Sequence, residues 1–147
     1  MGAGPEGASR IMGIDYGSRR VGVALSDRLG IAAHPFAVFE ADAGLQRRLA
    51  DLVGSEDVTK VVVGLPVSLD GTEQAAARRA RRFVDGLRPL VGVEVVLYDE
   101  RLTTRIAEGV LVAAGTSRAK RRRRIDKVAA AVMLQGYLDS QARTRVE

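Results

Sequence analysis

The chain has 147 residues, of which 46% are hydrophobic, and this length and composition predict one globular domain. It contains no cysteine and one histidine, which excludes disulfides and thiolate metal sites and disfavours zinc, so a bound metal is expected to have oxygen ligands. The net charge is +5; no signal peptide and no apolar run near the ~20 residues of a membrane span is visible, which predicts a cytoplasmic protein without membrane contact.

The first third of the chain predicts a tail followed by three strands. Residues 1–9 are small and polar and are expected to form a disordered N-terminal tail. The segment IMGIDYG is typical of a buried strand, and VGVALSD follows a Gly-Ser-Arg-Arg turn as a second strand hairpinned to it. A third strand is predicted near residues 31–39.

The remainder alternates helices with two buried strands. KVVVGLP and VEVVLYDE are nearly continuous apolar runs, as in strands covered on both faces. Apolar residues recur at helical spacing in four segments, which are 43–53, 72–87, 102–114 and 120–141. This order predicts a single α/β domain over residues 10–141, with helices on both faces of a central sheet, and a C-terminal tail over 142–147.

Three acidic residues are candidates for one shared site. Asp15 ends the first strand between two glycines, which leave space for a metal or a phosphate. Glu100 follows the strand VEVVLY, and if the two strands are parallel both acids lie at one edge of the sheet, where ligands of open α/β sheets bind. Asp126 shares a helical face with Ala130 and Met133, so we expect this helix to pack close to the sheet and turn Asp126 inward.

Each acid also has a structural alternative when it is taken alone. Asp15 would cap a turn, Glu100 would complement the amino terminus of a helix, and Asp126 would pair with neighbouring surface arginines. Together, Asp15, Glu100 and Asp126 would form an oxygen-rich site for Mg²⁺ or Mn²⁺. Such a site suits phosphodiester hydrolysis, in which metal ions activate water and stabilise the leaving oxygen without a histidine base. We therefore predict these three residues as catalytic residues and as metal ligands.

The positive charge is concentrated in one segment. Residues 101–124 contain eight basic residues and one acid, a net charge of +7, so the rest of the chain carries −2. Such a block attracts a polyanion, of which nucleic acid is the commonest, although a solvated surface is the simpler alternative. The predicted nucleic-acid-binding side chains are Arg101, Arg118, Lys120, Arg121, Arg122, Arg123 and Arg124. The loop GLPVSLDGTE is either an anion site at a helix start or a plain strand-to-helix connection.

Four segments in chain order resemble the YqgF/RuvX family of bacterial ribonuclease H-like proteins, described as Holliday junction resolvases and as pre-16S ribosomal RNA nucleases. The segments are GIDYGSRRVGVALSD, VVVGLP with DGTE, YDERLTT and RRRRIDKVAAAVMLQGYLD, within residues 12–139. The resemblance implies a ribonuclease H-like fold with a mixed five-stranded central sheet and helices on both faces. It also implies a magnesium or manganese cofactor and products that carry a 5′-phosphate.

The same resemblance assigns residues by position. The family's first-strand aspartate falls on Asp15, the glutamate of its DER motif on Glu100, and its last-helix aspartate on Asp126. Its GLP loop adds Gly64 and Pro66 to the predicted nucleic-acid-binding residues. Family members often have asparagine where this chain has Ser68, which weakens any role for that side chain.

We therefore predict a metal-dependent endonuclease that processes the 5′ end of pre-16S ribosomal RNA. Its expected partners are structured RNA and the pre-30S ribosomal particle, with branched DNA and a homodimer as open alternatives. Two other functions are retained: resolution of four-way DNA junctions, and noncatalytic RNA binding in ribosome assembly. An actin-like or sugar-kinase ATPase also begins with a DYG strand, but it needs two such domains, and this chain has the length of one.

Overall fold

The computed structural model describes residues 9–17, 19–65, 73–99 and 118–146. The predicted tail over residues 1–8, the predicted helix at 102–114 and the residues Pro66, Glu100 and Arg101 lie outside these ranges. At the start of the described chain, the Thr59 hydroxyl donates a hydrogen bond of 2.9 Å to the Ser9 hydroxyl oxygen.

Within the described ranges, five strands form one mixed sheet in the order β3-β2-β1-β4-β5. The strands are β1 Arg10–Tyr16, β2 Arg20–Ser26, β3 Ala33–Glu40, β4 Val58–Leu65 and β5 Glu94–Asp99. The strands β1, β2 and β3 are antiparallel neighbours, as the short turns between them require. The strands β4 and β5 run parallel to β1, so the carboxyl ends of these three strands lie at the same edge of the sheet.

Helices cover both faces of the sheet, which confirms the predicted α/β architecture. The helices are α1 Leu45–Ser55, α2 Glu73–Val91 and α3 Arg118–Val146. One buried cluster joins the sheet to α1 and α2 through side chains such as Ile14, Leu49 and Leu87. A second cluster joins the opposite face to α3, and its members include Ala24 and Leu134. The core therefore has two layers, one on each side of the sheet.

The helix ends differ from the predicted ones. Helix α2 continues through Pro89 to Val91, past the predicted end at residue 87, and Gly92, with a φ of 68°, follows it in the left-handed region that often ends helices. Helix α3 starts at Arg118 and runs to Val146, so residues 142–146, predicted as a tail, are helical. No glycine or proline follows Gln141 to end the helix there. No helix in the described ranges is both long and apolar enough to cross a bilayer.

Candidate active site

The candidate site lies at the sheet edge where the three parallel strands end. In register, Asp15 of β1 is beside Gly64 of β4, and one position further Leu65 of β4 is beside Asp99 of β5. Glu100 is the next residue in the chain after β5, and it lies outside the described residues. The predicted parallel arrangement of the two acid-bearing strands is thus confirmed for the strands themselves, whereas the Glu100 side chain is not located.

Asp15 has a glycine on each side across the sheet. It pairs with Gly22 of the antiparallel strand β2 and with Gly64 of the parallel strand β4. Residues in direct register project to the same face of a sheet, so no side chain flanks Asp15 on either neighbouring strand. The sheet surface on either side of Asp15 is therefore bare backbone.

Helix α3 packs directly on this bare surface. A Cβ built on Gly22 would collide with the carbonyl oxygen of Asp126, and one built on Gly13 would lie 2.8 Å from the Leu134 Cβ. Gly13 and Gly22 thus let the helix backbone approach the strands more closely than side chains would permit. Each strand contributes one glycine to this contact, and Gly13 and Gly22 were not identified from the sequence as a helix-packing surface.

This packing brings the α3 backbone at Asp126 onto the strand beside Asp15. The Asp126 backbone contacts Gly22, and Gly22 is the direct partner of Asp15 on the adjacent strand. Adjacent strands are about 4.8 Å apart, so α3 crosses the sheet one strand away from Asp15 and on the face to which Asp15 projects. The predicted inward orientation of the helix is confirmed, because Ala130, Met133 and Tyr137 on the same face are all buried.

Arg20 holds the Asp126 carboxylate. The Arg20 Nε donates a hydrogen bond of 2.6 Å to Asp126 Oδ2, and the two side chains are 27% and 22% exposed. Arg20 lies on the α3 side of β2, two residues before Gly22, and it reaches Asp126 across 106 positions of sequence. The described partner of Asp126 is therefore an arginine on the sheet, whereas the alternative named arginines that neighbour Asp126 in the sequence.

The predicted nucleic-acid-binding residues are only partly described. Arg124 is exposed on α3, and Gly64 is buried in the sheet beside Asp15. For the other basic residues of α3, which are Arg118, Lys120, Arg121, Arg122 and Arg123, only the helical backbone is described. Arg101 and Pro66 lie outside the described residues. The basic run therefore occupies the first turns of α3, directly before Asp126.

The Asp15 and Asp126 carboxylates are suitable ligands for a metal ion that prefers oxygen. Two carboxylates alone do not form a complete metal site. Within the described ranges, no three histidine, cysteine or carboxylate side chains lie close enough together to hold a metal. Asp15 and Asp126 contribute carboxylate oxygens, which hard cations such as Mg²⁺ prefer. Because Arg20 already binds one Asp126 oxygen, an ion there would share this carboxylate with the guanidinium or displace it.

Sequence comparison finds relatives over nearly the whole chain. A family model described as "RuvX: Holliday junction resolvase" matches residues 9–140. A relative from Bacillus cytotoxicus, named as a candidate pre-16S rRNA nuclease, is 42% identical over 136 residues, which cover 90% of this chain and 99% of the relative. A Bacillus thuringiensis relative with the same name shows the same identity and coverage.

Structural comparison finds the same fold in two resolvases. Thermus thermophilus RuvC, solved with a Holliday junction substrate, aligns with a TM-score of 0.57 at 18% identity, over 92% of this chain and 97% of RuvC. The yeast mitochondrial Holliday junction resolvase Ydc2 aligns with a TM-score of 0.59 at 12% identity, over 95% of this chain and 81% of Ydc2. At these identities the likeness concerns the fold alone, and it confirms the predicted ribonuclease H-like class.

Proposed function

Because this chain belongs to the RuvX family of Holliday junction resolvases, we propose that it is a nuclease that hydrolyses phosphodiester bonds and that its substrate is the 5′ end of pre-16S ribosomal RNA. The substrate is suggested by relatives with 42% identity whose names describe that activity. In the same proposal the protein acts in the cytoplasm on the pre-30S particle. The observation that supports this active site is the close packing of α3 on β2, which puts the Asp126 backbone against Gly22, the sheet partner of Asp15.

The proposed site uses Asp15 and Asp126 as ligands of Mg²⁺ or Mn²⁺, with Glu100 as a third ligand. Such an ion would supply a water nucleophile at neutral pH and neutralise charge on the phosphate. Asp15 would provide a carboxylate at the end of a buried strand, where the neighbouring sheet positions are glycines. Arg20 would orient Asp126 through the hydrogen bond between them.

Binding of the substrate is assigned to the basic residues rather than to the acids. Arg124 and the preceding basic residues lie in the first turns of α3, within the helix that also carries Asp126. Contacts from such residues to phosphates bring most of the affinity of a nucleic-acid-binding protein, and they weaken with salt. In this proposal, a basic surface binds the nucleic-acid strand, and a separate group of carboxylates next to it carries out cleavage.

The proposal is tested by offering the purified protein two labelled substrates, a pre-16S RNA 5′ leader and a four-way DNA junction. We expect site-specific cleavage of the RNA that requires Mg²⁺ or Mn²⁺ and stops in EDTA. Cleavage of the junction alone would replace the proposal with junction resolution. RNA binding without cleavage of either substrate would identify a noncatalytic assembly protein.

A further inference from the structure

A polar cavity lies on the face of the sheet opposite α3 and outside the candidate active site. Its volume is about 320 Å³, and it opens between the end of β1, the start of α1 and the exposed side of α2. The side chains that define its character are Tyr16, Asp42, Gln46, Arg79, Arg82 and Phe83. None of these residues belongs to the candidate active site, and no sequence pattern groups them.

Two arginines bring positive charge to the cavity. Arg79 and Arg82 are exposed and lie three residues apart on α2, so they share one side of the helix. In the part of the chain that the structure describes, neither one forms an ion pair or a side-chain hydrogen bond. Arg88 of the same helix differs, because its Nη1 lies 3.1 Å from Asp85 Oδ1. The charge at the cavity is therefore available to a bound anion.

Two stacked rings form a fixed wall of the cavity. The Tyr16 and Phe83 rings have centroids 4.4 Å apart and an interplanar angle of 21°. Phe83 is buried, and Tyr16 packs against the same core cluster. Because successive strand residues point to opposite faces, Tyr16 lies on the reverse side of the sheet from Asp15, one residue away. The cavity thus begins at the strand end that carries the candidate active site.

Among the described residues that line the cavity, the one carboxylate is already engaged. Asp42 Oδ1 lies 2.8 Å from Arg48 Nη2 and accepts a 3.0 Å hydrogen bond from the Gly44 backbone N–H. The hydrogen bond from Arg48 lowers the pKa of Asp42 below its usual value, so Asp42 remains ionised at neutral pH. Its charge is balanced by Arg48, and the two arginines of α2 leave the cavity with a net positive charge.

We propose that this cavity binds a backbone phosphate of the nucleic-acid strand that passes the sheet edge at Asp15. The inference rests on the proposed nuclease function and extends its binding surface to the face that carries α1 and α2. Arg79 and Arg82 donate hydrogen bonds to the phosphate, and Tyr16 forms the wall against which the strand turns from one face to the other. The substrate is then held on both sides of the catalytic edge.

The test is a double variant, Arg79→Gln with Arg82→Gln, made in the Asp15→Asn background so that the probe is not cut. The probe is a fluorescein-labelled RNA hairpin with a single-stranded 5′ extension, and its dissociation constant is measured by anisotropy from 50 to 300 mM KCl. In 0.1 M salt each lost phosphate contact weakens binding about five- to eightfold and lowers the salt slope by about 0.7–0.9. We expect the double variant to show at least one such loss.

The matched control is Arg78→Gln with Arg81→Gln. These residues are exposed neighbours on the same helix, and the control removes the same charge without touching the cavity. If both double variants lose the same RNA affinity, the loss reflects the general charge of the helix rather than the cavity, and the inference is overturned. No loss for the Arg79 and Arg82 pair, or a change in oligomeric mass without a change in affinity, would also overturn it.

Binding and cleavage assays together separate the role of the cavity from the nuclease activity. The double variant is also made in the wild-type background, where RNA cleavage is assayed beside binding. If wild-type protein cuts RNA and the double variant binds as well as wild type, the nuclease proposal stands and the cavity has no role. If wild-type protein cuts nothing, the nuclease proposal itself is wrong.

Discussion

Asp15→Asn is expected to lower cleavage of the RNA leader by more than about a hundredfold, since even supporting residues of a metal site can cost 10–100-fold. The substitution keeps the size of the side chain and removes the anionic oxygen that a divalent cation would bind. RNA affinity should change little, because phosphate contacts from basic residues dominate binding. The measurement compares single-turnover cleavage rates with dissociation constants determined on the same RNA.

A control for this variant is Asp51→Asn, which removes the same charge from an exposed position on α1. It should cut RNA at the wild-type rate. Asp126→Asn should behave like Asp15→Asn, because both carboxylates are proposed as ligands of the same ion. Unchanged cleavage by Asp15→Asn, or a loss of binding that accounts for the whole loss of rate, would mean that the roles are misassigned.

Gly22→Ala should both lower the stability of the protein and reduce its cleavage activity. The added Cβ would collide with the Asp126 carbonyl oxygen and lie 3.2 Å from the Lys127 nitrogen, so α3 must move away from β2. Overpacking of this kind typically costs about 1–3 kcal/mol of the free energy of unfolding. The displacement also moves Asp126 away from Asp15, so cleavage should fall in the fraction that remains folded. Urea denaturation and the cleavage assay measure the two effects.

Gly54→Ala is the matched control for that substitution. Gly54 lies in helix α1, and a Cβ there would have no neighbour within 4 Å. Replacing a helical glycine with alanine should raise the free energy of unfolding by about 0.5–1 kcal/mol and leave cleavage unchanged. A Gly22→Ala protein that is as stable and as active as wild type would contradict the close packing of α3 on β2.

The sequence predicted the layers and the elements that carry Asp15 and Asp126, for a physical reason. Continuous apolar runs identify buried strands, and helical spacing identifies the face that Ala130, Met133 and Tyr137 turn toward the sheet. Asp126 lies on that face, so its orientation followed from the same periodicity. The parallel relation of β1, β4 and β5 then defined the edge at which Asp15 lies.

The features that the sequence did not predict depend on contacts between distant segments. The Arg20–Asp126 hydrogen bond joins a strand to a helix 106 positions later, and no local pattern encodes that pairing. The cavity at Arg79 and Arg82 requires the ends of β1 and β3 to meet α2, which only the folded chain provides. A helical pattern alone does not show what the arginines of α2 face.

The proposed nuclease site requires that Asp15 and Asp126 bind one divalent ion. This claim can be tested with a crystal soaked in Mn²⁺ and diffraction data collected at the manganese absorption edge. We predict an anomalous peak within coordination distance of carboxylate oxygens from both residues, and loss of that peak in Asp15→Asn. A peak bound elsewhere, or none at this edge while the wild-type protein cuts RNA with Mn²⁺, would contradict the claim.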